Sequence, residues 1–236
     1  MTHSSGFSPD LFSGNRVVIT GSEGGIGKAL VAAFNAAGAV VTGLDMKASD
    51  TTIACDLTQP DELCSVADLL LRKGPIAALV NCAGTFRRVR VDHPEAGSTL
   101  TDALNLHLLA PFQLSRALLP ALRGGAIINV TSTGATRPCH EGSAYSISKA
   151  ALGMLTQALA VELAPMGIRV NAVAPGEVDT SLTADDPHVK ALVAKLPLKR
   201  RAQPEEIASA VVFLASPLAT YVTGATLPVD GGFLLT

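Results

Sequence analysis

The chain has 236 residues, of which 48% are hydrophobic and 16% charged, so it is not a disordered segment and has enough apolar surface to form a core. Eighteen Lys and Arg residues against 20 Asp and Glu residues give a net charge of −2, which excludes the strongly basic surface that binds nucleic acids and anionic membranes. No run of about 18 uninterrupted apolar residues occurs, so we expect neither nucleic acid nor membrane as a partner.

Short apolar runs alternate with longer stretches of helical period after a loose arm at residues 1–14. The runs are continuously apolar, which is typical of parallel strands covered by helices on both faces. We therefore predict a doubly wound α/β fold of the Rossmann type, with one parallel sheet of about seven strands and helices on both faces. The predicted strands are 16–20, 40–44, 52–55, 77–81, 126–130, 169–174 and 226–229, and the predicted helices are 26–37, 60–71, 99–122, 144–165 and 204–215.

One connection in this pattern is unusually short. Only residues 46–51 separate the second and third predicted strands, whereas a parallel crossover normally needs roughly a dozen residues or more. Either the helix there is reduced to a single turn or a strand boundary is wrong. No repeat or linker divides the chain, so we predict one domain over residues 1–236. Its nucleotide-binding part covers about 15–130, and its catalytic and substrate part covers about 131–236.

A glycine-rich turn follows the first predicted strand and opens a helix, with glycines at Gly21, Gly25 and Gly27. Glycines also mark ordinary loops, but in this context they let the backbone approach a diphosphate at the helix N-terminus. Asp45 ends the second predicted strand, where an acid accepts hydrogen bonds from the adenosine ribose and repels a 2′-phosphate. Lys47 is the only nearby cation, so the pattern predicts NAD rather than NADP.

Several motifs occur together in a fixed order along residues 11–232. They are Thr20-Gly-x-x-x-Gly25-Ile-Gly27, Asn81-Cys-Ala-Gly84, Asn129-Val-Thr-Ser132, Tyr145-Ser-Ile-Ser-Lys149, Asn171-Ala-Val-Ala-Pro-Gly176 and Val229-Asp-Gly-Gly232. In this combination the sequence resembles the short-chain dehydrogenase/reductase family. The resemblance covers nearly the whole chain.

The resemblance implies a catalytic set of Asn105, Ser132, Tyr145 and Lys149. Tyr145 and Lys149 are four residues apart, so they lie on one face of the predicted helix. A tyrosine with its usual pKa of about 10 is a poor base, and we expect the Lys149 ammonium and an oxidised nicotinamide to lower that pKa. The phenolate then takes the proton of a substrate hydroxyl as hydride leaves the carbon. By resemblance, Ser132 orients the substrate oxygen and Asn105 positions a water in a proton relay from Lys149.

The resemblance also implies the cofactor contacts, at the carboxyl ends of the strands where such sheets bind ligands. Tyr145 and Lys149 belong to this set as well, with Lys149 on the nicotinamide ribose. The others are Ser22 and Ile26 at the diphosphate turn, Asp56 and Leu57 around adenine, Asn81, Ala83 and Gly84 beside the adenosine ribose, and Pro175, Gly176, Val178 and Thr180 in the loop that holds the carboxamide.

Three variable stretches, 85–91, 133–143 and 177–200, are expected to select the substrate. Arg88 has the fork geometry that binds a carboxylate, although an arginine on a loop is more often a solvated surface charge. His140 and Glu177 are either substrate contacts or rim residues. Cyclic dihydrodiols, sugars and polyols all remain open as substrates.

The sequence thus predicts an NAD-dependent secondary-alcohol dehydrogenase or ketone reductase acting on a small molecule. The first alternative is an NADP-dependent 3-oxoacyl-thioester reductase, although such relatives usually carry Arg in the glycine turn, where this chain has Ser22-Glu23-Gly24. The second is a nucleotide-binding protein that keeps the fold without turnover.

Cellular context and assembly follow from simpler features. The four cysteines form no CxxC pair and no metal-like spacing, and the N-terminus has no signal-peptide pattern, so we expect a cytoplasmic protein without a metal. The predicted helices 99–122 and 144–165 carry more apolar residues than packing on one sheet requires. We expect them to pair copies of the chain into a homotetramer.

Overall fold

A computed structural model describes residues 7–180 and 187–236. Seven parallel strands form one sheet in the order β3-β2-β1-β4-β5-β6-β7, and helices cover both faces, which confirms the predicted Rossmann-type fold. The strands are β1 (Arg16–Thr20), β2 (Val40–Asp45), β3 (Thr52–Ala54), β4 (Ala78–Asn81), β5 (Ala126–Val130), β6 (Arg169–Pro175) and β7 (Thr226–Val229). Strand order reverses between β1 and β4, and the carboxyl ends of strands beside such a reversal form the usual ligand crevice of a doubly wound sheet.

Seven α-helices surround the sheet in the described part of the chain. They are α1 (Gly25–Ala36), α2 (Pro60–Arg72), α3 (Ala96–Leu104), α4 (Ala110–Leu118), α5 (Ser143–Leu163), α6 (Pro187–Val193) and α7 (Pro204–Ala215). One core lies under α1 and α7, and the other lies under α2, α4 and α5. Successive residues of one strand enter opposite cores, as Ile127 and Ile128 of β5 do. This two-sided burial explains why the strands are continuously apolar.

The short connection at residues 46–51 contains no helix. Ser49 pairs with Thr52 in an isolated bridge, and the chain enters β3 directly, in parallel register with β2. The connection is therefore reduced further than the single helical turn of the first predicted explanation, and the third strand ends at Ala54, one residue before its predicted boundary. β3 has only three residues and forms one edge of the sheet.

The predicted helix 99–122 is interrupted, which the apolar period did not predict. A π-helical turn over Asn105–Leu109 separates α3 from α4, and the Ala110 N–H bonds to the carbonyl of Asn105, five residues earlier. Pro111 follows this turn, and a proline inside a helix has no N–H for the usual bond. The wider turn carries the chain past that missing donor.

β7, which forms one end of the sheet, is largely uncovered. Every residue of β7 except Val229 is exposed, although one edge of the strand is paired with β6.

α5 and the turn after it, Ser143–Met166, form the one helical segment among the described residues that is long and apolar enough to cross a membrane. Leu152, Leu159 and Leu163 of α5 are buried, as in a helix that packs on the core of a folded domain.

Candidate active site

The glycine turn between β1 and α1 is shaped by steric limits that only glycine meets. Gly21 has φ +68°, and a Cβ there would lie 2.7 Å from the Cα of Ala83. A Cβ on Gly27 would lie 1.9 Å from the carbonyl oxygen of Gly21. The turn is therefore closed tightly against both its own backbone and the loop after β4.

The N-terminus of α1 is left open by this turn. Gly24 caps the helix without any side-chain hydrogen bond, and no acidic residue lies in the first turn. The first N–H groups of a helix have no partner within it and carry partial positive charge. This end of α1 is thus a cradle suited to an anionic diphosphate, and Gly25 at its first position is solvent-exposed.

Two carboxylates stand beside the cradle. Asp45, at the end of β2, accepts a hydrogen bond from the Glu23 N–H at 3.0 Å. The Glu23 carboxylate accepts hydrogen bonds from Thr52 Oγ1 at 2.7 Å and Ser49 Oγ at 2.9 Å, and these bonds lower its pKa. Both Thr52 and Ser49 reach it because the chain enters β3 without a crossover helix. Glu23 is thus an anion at neutral pH, in the turn where a cation would be needed to bind a 2′-phosphate.

Three residues predicted to contact the cofactor point their side chains into the protein instead. Ser22 is buried, with its hydroxyl 3.0 Å from Thr52 Oγ1. Leu57 packs in the core beneath α2. Asn81 is buried and donates to Asn129 Oδ1 at 2.8 Å, so it connects β4 to β5. The predicted cofactor contacts of these three residues stay predictions, and they would involve the backbone rather than these buried side chains.

The loop after β4 is held near the cradle by one hydroxyl. Thr20 Oγ1 accepts hydrogen bonds from the N–H groups of both Cys82 and Ala83, each at 3.0 Å. Ala83 is thereby fixed against Gly21. Gly84 lines a cavity that also contains the predicted catalytic residues. Asp56 lies further along this edge, where its carboxylate accepts from the N–H and the hydroxyl of Thr58, and these bonds lower its pKa.

The predicted catalytic residues Ser132, Tyr145 and Lys149 line one cavity of about 480 Å³. Ser132 follows the end of β5, and its hydroxyl accepts a hydrogen bond from the Gly134 N–H at 2.9 Å. Tyr145 lies in the first turn of α5, and Lys149 lies one turn later. Lys149 is only 4% exposed, and its ammonium donates to the carbonyl of Val130 at 2.8 Å. Its Nζ lies 5.8 Å from the centroid of the Tyr145 ring.

The ionisation of this pair differs from the expectation. Burial raises the pKa of Tyr145 to about 12, and its hydrogen bond with the Ser132 hydroxyl opposes that rise only partly. Burial also lowers the pKa of Lys149 to about 8. The expected lowering of the Tyr145 pKa called for an oxidised nicotinamide as well as the Lys149 ammonium, and in the protein alone desolvation of the phenolate dominates.

The other predicted site residues are distributed around this centre. Ile26 and Gly84 line the catalytic cavity, as do Pro175 at the end of β6 and Gly176, Val178 and Thr180 after it. Thr180 packs so closely on Gly25 that a Cβ on that glycine would lie 2.6 Å from the threonine methyl. The loop after β6 therefore meets the glycine turn. Asn105 is half-buried at the start of the π-helical turn and is absent from the cavity lining.

Two aromatic rings that the sequence did not single out contact Tyr145. Phe86 packs edge-to-face on it at 5.0 Å between ring centroids, and His107 does so at 5.6 Å. Phe86 comes from the loop after β4, whereas His107 comes from the π-helical turn. Neither belongs to a motif, since its position depends on how distant loops meet; the proximity of His107 to Asn105 was the one available signal. Part of the predicted stretch 177–200 lies outside the described residues.

Comparison with known proteins identifies the family. A family profile described as enoyl-(acyl carrier protein) reductase matches residues 21–234. The chain belongs to the short-chain dehydrogenase/reductase family. It is 37% identical over 246 residues to L-xylulose reductase of Mesocricetus auratus, covering 95% of this chain and 98% of that protein. It is 35% identical over 246 residues to 2,3-dihydro-2,3-dihydroxybenzoate dehydrogenase of Escherichia coli, with the same coverage.

Other relatives are longer than this chain. Protein FixR of Bradyrhizobium diazoefficiens is 44% identical over 171 residues, which cover 69% of this chain and 61% of FixR. The match to an uncharacterized short-chain type dehydrogenase/reductase of Sinorhizobium fredii covers 44% of that protein, at 36% identity. The matched segments therefore cover about three fifths of the first relative and less than half of the second.

Solved structures of this family superimpose on nearly the whole chain. Aldohexose dehydrogenase of Thermoplasma acidophilum, in ligand-free form, has a TM-score of 0.89 and 32% identity, covering 98% of this chain and 97% of the other. L-sorbose reductase of Gluconobacter frateurii, complexed with NADPH and L-sorbose, has a TM-score of 0.88 and 31% identity, covering 97% of this chain and 100% of the other.

Proposed function

We propose that this protein is an oxidoreductase that transfers a hydride between NAD(H) and a secondary alcohol or ketone of a small sugar, polyol or cyclic diol. The observation that carries the proposal is the convergence of Ser132, Tyr145 and Lys149 on one cavity beside the glycine cradle. We assign the nucleotide to the part at about 15–130 and the substrate chemistry to the part at about 131–236, acting together as one domain. The relatives named for xylulose, sorbose, aldohexose and a dihydrodiol support this class of substrate.

The chain's own residues fit a dinucleotide. The open N-terminus of α1 suits its diphosphate, Asp45 suits the adenosine ribose, and the half-buried Gly176 and Thr180 lie where they would hold its other end. When bound, a nicotinamide dinucleotide supplies the hydride acceptor or donor and, in its oxidised form, one positive charge. No cluster of His, Cys, Asp or Glu suited to a metal occurs among the described residues.

The choice of NAD over NADP rests on local charge, because the similar L-sorbose reductase was crystallised with NADPH. In this chain Glu23 lies in the glycine turn, and its N–H donates to the Asp45 carboxylate, so both acids belong to the edge of the cradle. A 2′-phosphate placed there would face two negative charges, against which Lys28 is the cation that acts on Glu23, and the like charges cost binding energy. The alternative of an NADP-dependent 3-oxoacyl-thioester reductase requires a cation where the structure has Glu23.

The proton chemistry belongs to Tyr145. With a pKa of about 12 its Oη keeps its proton at neutral pH, which suits donation to a carbonyl oxygen in ketone reduction. Oxidation requires Oη to lose that proton first, so positive charge must be placed near it to lower the pKa. Lys149 supplies one such charge from the same helix face. The Ser132 hydroxyl, bonded to Tyr145, would hold the substrate oxygen, and Asn105 would hold a water in a relay from Lys149 to solvent.

Assembly into a homotetramer is supported by exposed apolar surface in two places. The first is on α4 and α5, where Phe112 is 42%, Ile147 51% and Met154 63% exposed. The second is around β7 and the C-terminus, where Tyr221 is fully exposed and Leu235 is 88% exposed. Two separate self-complementary surfaces are what a tetramer with perpendicular two-fold axes requires. The free thiols of all four cysteines support a cytoplasmic location.

The test is turnover with a panel of polyols, sugars and cyclic diols, with NAD and NADP compared at equal concentration. We expect reduced nicotinamide to appear with NAD. A second measurement uses Tyr221→Phe, which leaves Tyr145 as the only tyrosine of the chain. Its phenolate absorbance should appear only near pH 12 in the free protein and at lower pH once NAD is added. Binding of NAD without turnover of any substrate would favour the non-catalytic alternative, and faster turnover of 3-oxoacyl thioesters with NADPH would favour the reductase.

A further inference from the structure

The three arginines of the loop after β4 lie in different surroundings, although they are neighbours in sequence. Arg87 pairs with Glu95 at 3.0 Å, and both side chains are more than half exposed. Arg90 pairs with Asp92 at 3.1 Å, again on the outside of the loop. Both side chains thus lie on the outside of the loop, away from the cavity.

Arg88 instead turns toward the catalytic cavity. Its guanidinium lies 5.1 Å from the centroid of the Phe86 ring, which in turn packs edge-to-face on Tyr145. Its Nη1 donates to the carbonyl of His140 at 2.5 Å, so the side chain is fixed between two of the variable stretches. Arg88 is half-buried and lines the same cavity as Tyr145. A guanidinium held by a ring and a carbonyl is preorganised for a planar anion.

The charged residues of the cavity wall also favour an anionic ligand. Besides Lys149, the cations on this wall are Arg88, Arg137 and Lys195, whereas Glu177 is the one acid among the described lining residues. Arg137 stacks on the Phe233 ring at 4.7 Å and donates to the main-chain oxygens of Phe233 and Thr236, which keep it in place. An excess of positive charge around a concave, partly apolar site attracts anions and concentrates them there.

We propose that the substrate carries a carboxylate and that Arg88 binds it, on the Phe86 side of the reacting carbon. This inference rests on the proposed function, because it names the substrate class of that same cavity. The reacting alcohol or ketone then lies between Tyr145 and the anchored carboxylate. Within the proposed class of sugars, polyols and cyclic diols, the members that carry a carboxylate, such as sugar acids and dihydrodiol acids, are then preferred over their neutral counterparts.

The test compares matched pairs that differ in the carboxylate, such as gluconate with sorbitol and 3-hydroxybutyrate with 2-butanol. Binding of each member to the protein saturated with NAD is measured by calorimetry, and turnover is measured separately. We expect the acid to bind roughly 10–100-fold more tightly than its neutral partner, the range of a charge-assisted hydrogen bond. Arg88→Gln should abolish most of that preference, whereas Arg87→Gln, the control on the same loop, should keep it.

The two proposals fail in different ways. Equal binding of acids and neutral partners, or a preference that survives Arg88→Gln, would overturn the carboxylate site whatever the turnover. Acids that bind through Arg88 but are never oxidised would keep the site and overturn the proposed reaction. High salt should weaken acid binding and leave the binding of the neutral partners almost constant.

A second inference rests on the buried histidine of the π-helical turn. His107 is 1% exposed and is hydrogen-bonded on both sides of its ring. Its Nε2 accepts from the Thr85 N–H at 3.1 Å, so its Nδ1 carries the proton and donates to Ser148 Oγ at 2.8 Å. Ser148 Oγ donates in turn to the carbonyl of Tyr145 at 2.8 Å. The ring thus joins the loop after β4 to the turn of α5 that carries Tyr145.

The surroundings allow His107 only this one arrangement. Burial, with the nearby charge of Lys149, lowers its pKa to about 3, so the ring is neutral. A Cβ on Gly84 would lie 3.2 Å from Nε2, which shows how closely the loop packs on the ring. We propose that His107 is a positioning residue that fixes Tyr145 relative to the loop that carries Phe86 and Arg88. This too rests on the role proposed for Tyr145.

The test uses His107→Leu and His107→Asn, with Ser148→Ala as a milder second break in the same chain of bonds. His107→Leu should lower kcat roughly 10–100-fold at nearly constant Kd for NAD, because small misplacements of a reacting group are costly. The amide of His107→Asn can still donate to Ser148, and it should recover much of that loss. Thr156→Val, a buried change further along α5, should lower stability without moving the kcat of the folded protein.

A purely structural histidine would behave otherwise. The positioning role is overturned if His107→Leu and Ser148→Ala lose activity only in proportion to folded protein, as Thr156→Val should, or if His107→Asn rescues nothing. The phenolate titration of Tyr145 in the Tyr221→Phe background gives a readout that needs no substrate. Its midpoint should shift in His107→Leu and stay unchanged in Thr156→Val, and an unshifted midpoint in both would also overturn the role.

Discussion

The glycine cradle and the substrate rim lie on either side of the same cavity but are built in different ways. The substrate rim is the set of loop residues around Phe86, Arg88 and His140 that line the cavity. The cradle is made by backbone: φ at Gly21, the contact of Gly27 with the Gly21 carbonyl, and the open end of α1. The rim is made by side chains that reach one another across loops, such as Arg88 on the His140 carbonyl. Backbone geometry depends on a few residues in one short segment, whereas the rim depends on where separate loops come together.

This difference determines how each region tolerates change. A substitution in the cradle meets fixed backbone and cannot be accommodated by a rotamer change. A substitution in the rim alters charge or shape in a wet cavity, and it changes which molecule binds without unfolding the protein. Tyr145 stands at the meeting point, since it is anchored by the core of α5 and faces both regions.

The largest effect is expected where the two regions meet. Tyr145→Phe removes the one atom that exchanges a proton with the substrate and leaves the ring packed against Phe86 and His107. We expect kcat to fall by roughly 10²–10⁴-fold, the contribution of general acid–base catalysis, with the Kd for NAD within a few-fold of the parent value. Steady-state kinetics and NAD titration measure the two quantities. Tyr221→Phe, at the exposed second tyrosine, is the control and should retain full activity. Parental turnover in Tyr145→Phe would remove this residue from the mechanism.

The next largest effect tests the cradle. Gly27→Ala places a methyl group 1.9 Å from the Gly21 carbonyl oxygen, which is backbone and cannot move aside. We expect loss of NAD binding and a fall of about 2–3 kcal/mol or more in the free energy of unfolding, as for an overpacked core. Gly97→Ala is the matched control, because nothing lies within 4 Å of the added methyl group. In the helix α3 it should leave stability unchanged or raise it by up to ~1 kcal/mol. Urea denaturation of both variants makes the comparison.

The sequence was sufficient for the sheet and the cradle because each depends on local rules. Strands buried on both faces must be continuously apolar, and residues such as Ile127 and Ile128 enter opposite cores. The turn after β1 requires glycine wherever a Cβ would collide with backbone atoms, as at Gly21 and Gly27. The shortness of the connection before β3 was visible too, since six residues are too few for a full crossover helix, although the single turn considered there does not form.

Other features depend on contacts between distant segments and could not be predicted. The inward direction of Ser22 and Asn81 follows from partners 30 and 48 residues away. The π-helical turn that brings His107 under Tyr145 has the same apolar period as an ordinary helix. The raised pKa of Tyr145 depends on how completely loops exclude water, a quantity that residue spacing does not contain.

Cofactor choice is the third expected effect and lies on the outer edge of the cradle. Replacing both acids, as Glu23→Arg with Asp45→Ala, removes two negative charges and adds one positive charge where a 2′-phosphate would bind. We expect the ratio of kcat/KM for NADP over NAD to rise by roughly 100-fold, since charged hydrogen bonds contribute about 1.5–3 kcal/mol each. Asp50→Ala, an exposed acid in the connection before β3, is the control and should leave the ratio unchanged. A parent that already prefers NADP would contradict the local charge argument.

The smallest effect is the pH dependence of stability that the buried His107 causes, where its ring packs on Tyr145. The pKa of His107 is lowered to about 3 in the folded protein against about 6.5 in an unfolded chain, so between these values only the unfolded chain takes up the proton. The free energy of unfolding should therefore fall as the pH drops below about 6.5, by up to ~1.4 kcal/mol per pH unit, or about 2 kcal/mol at pH 5. Denaturation of the parent, His107→Asn and the exposed-site control His93→Asn at pH 7 and pH 5 measures this slope. His107→Asn should lose about 2 kcal/mol less than the parent over that interval and His93→Asn should follow the parent. An identical slope in all three would mean that water reaches the ring, and that the contact between loop and helix around Tyr145 is looser than the packing of the cradle.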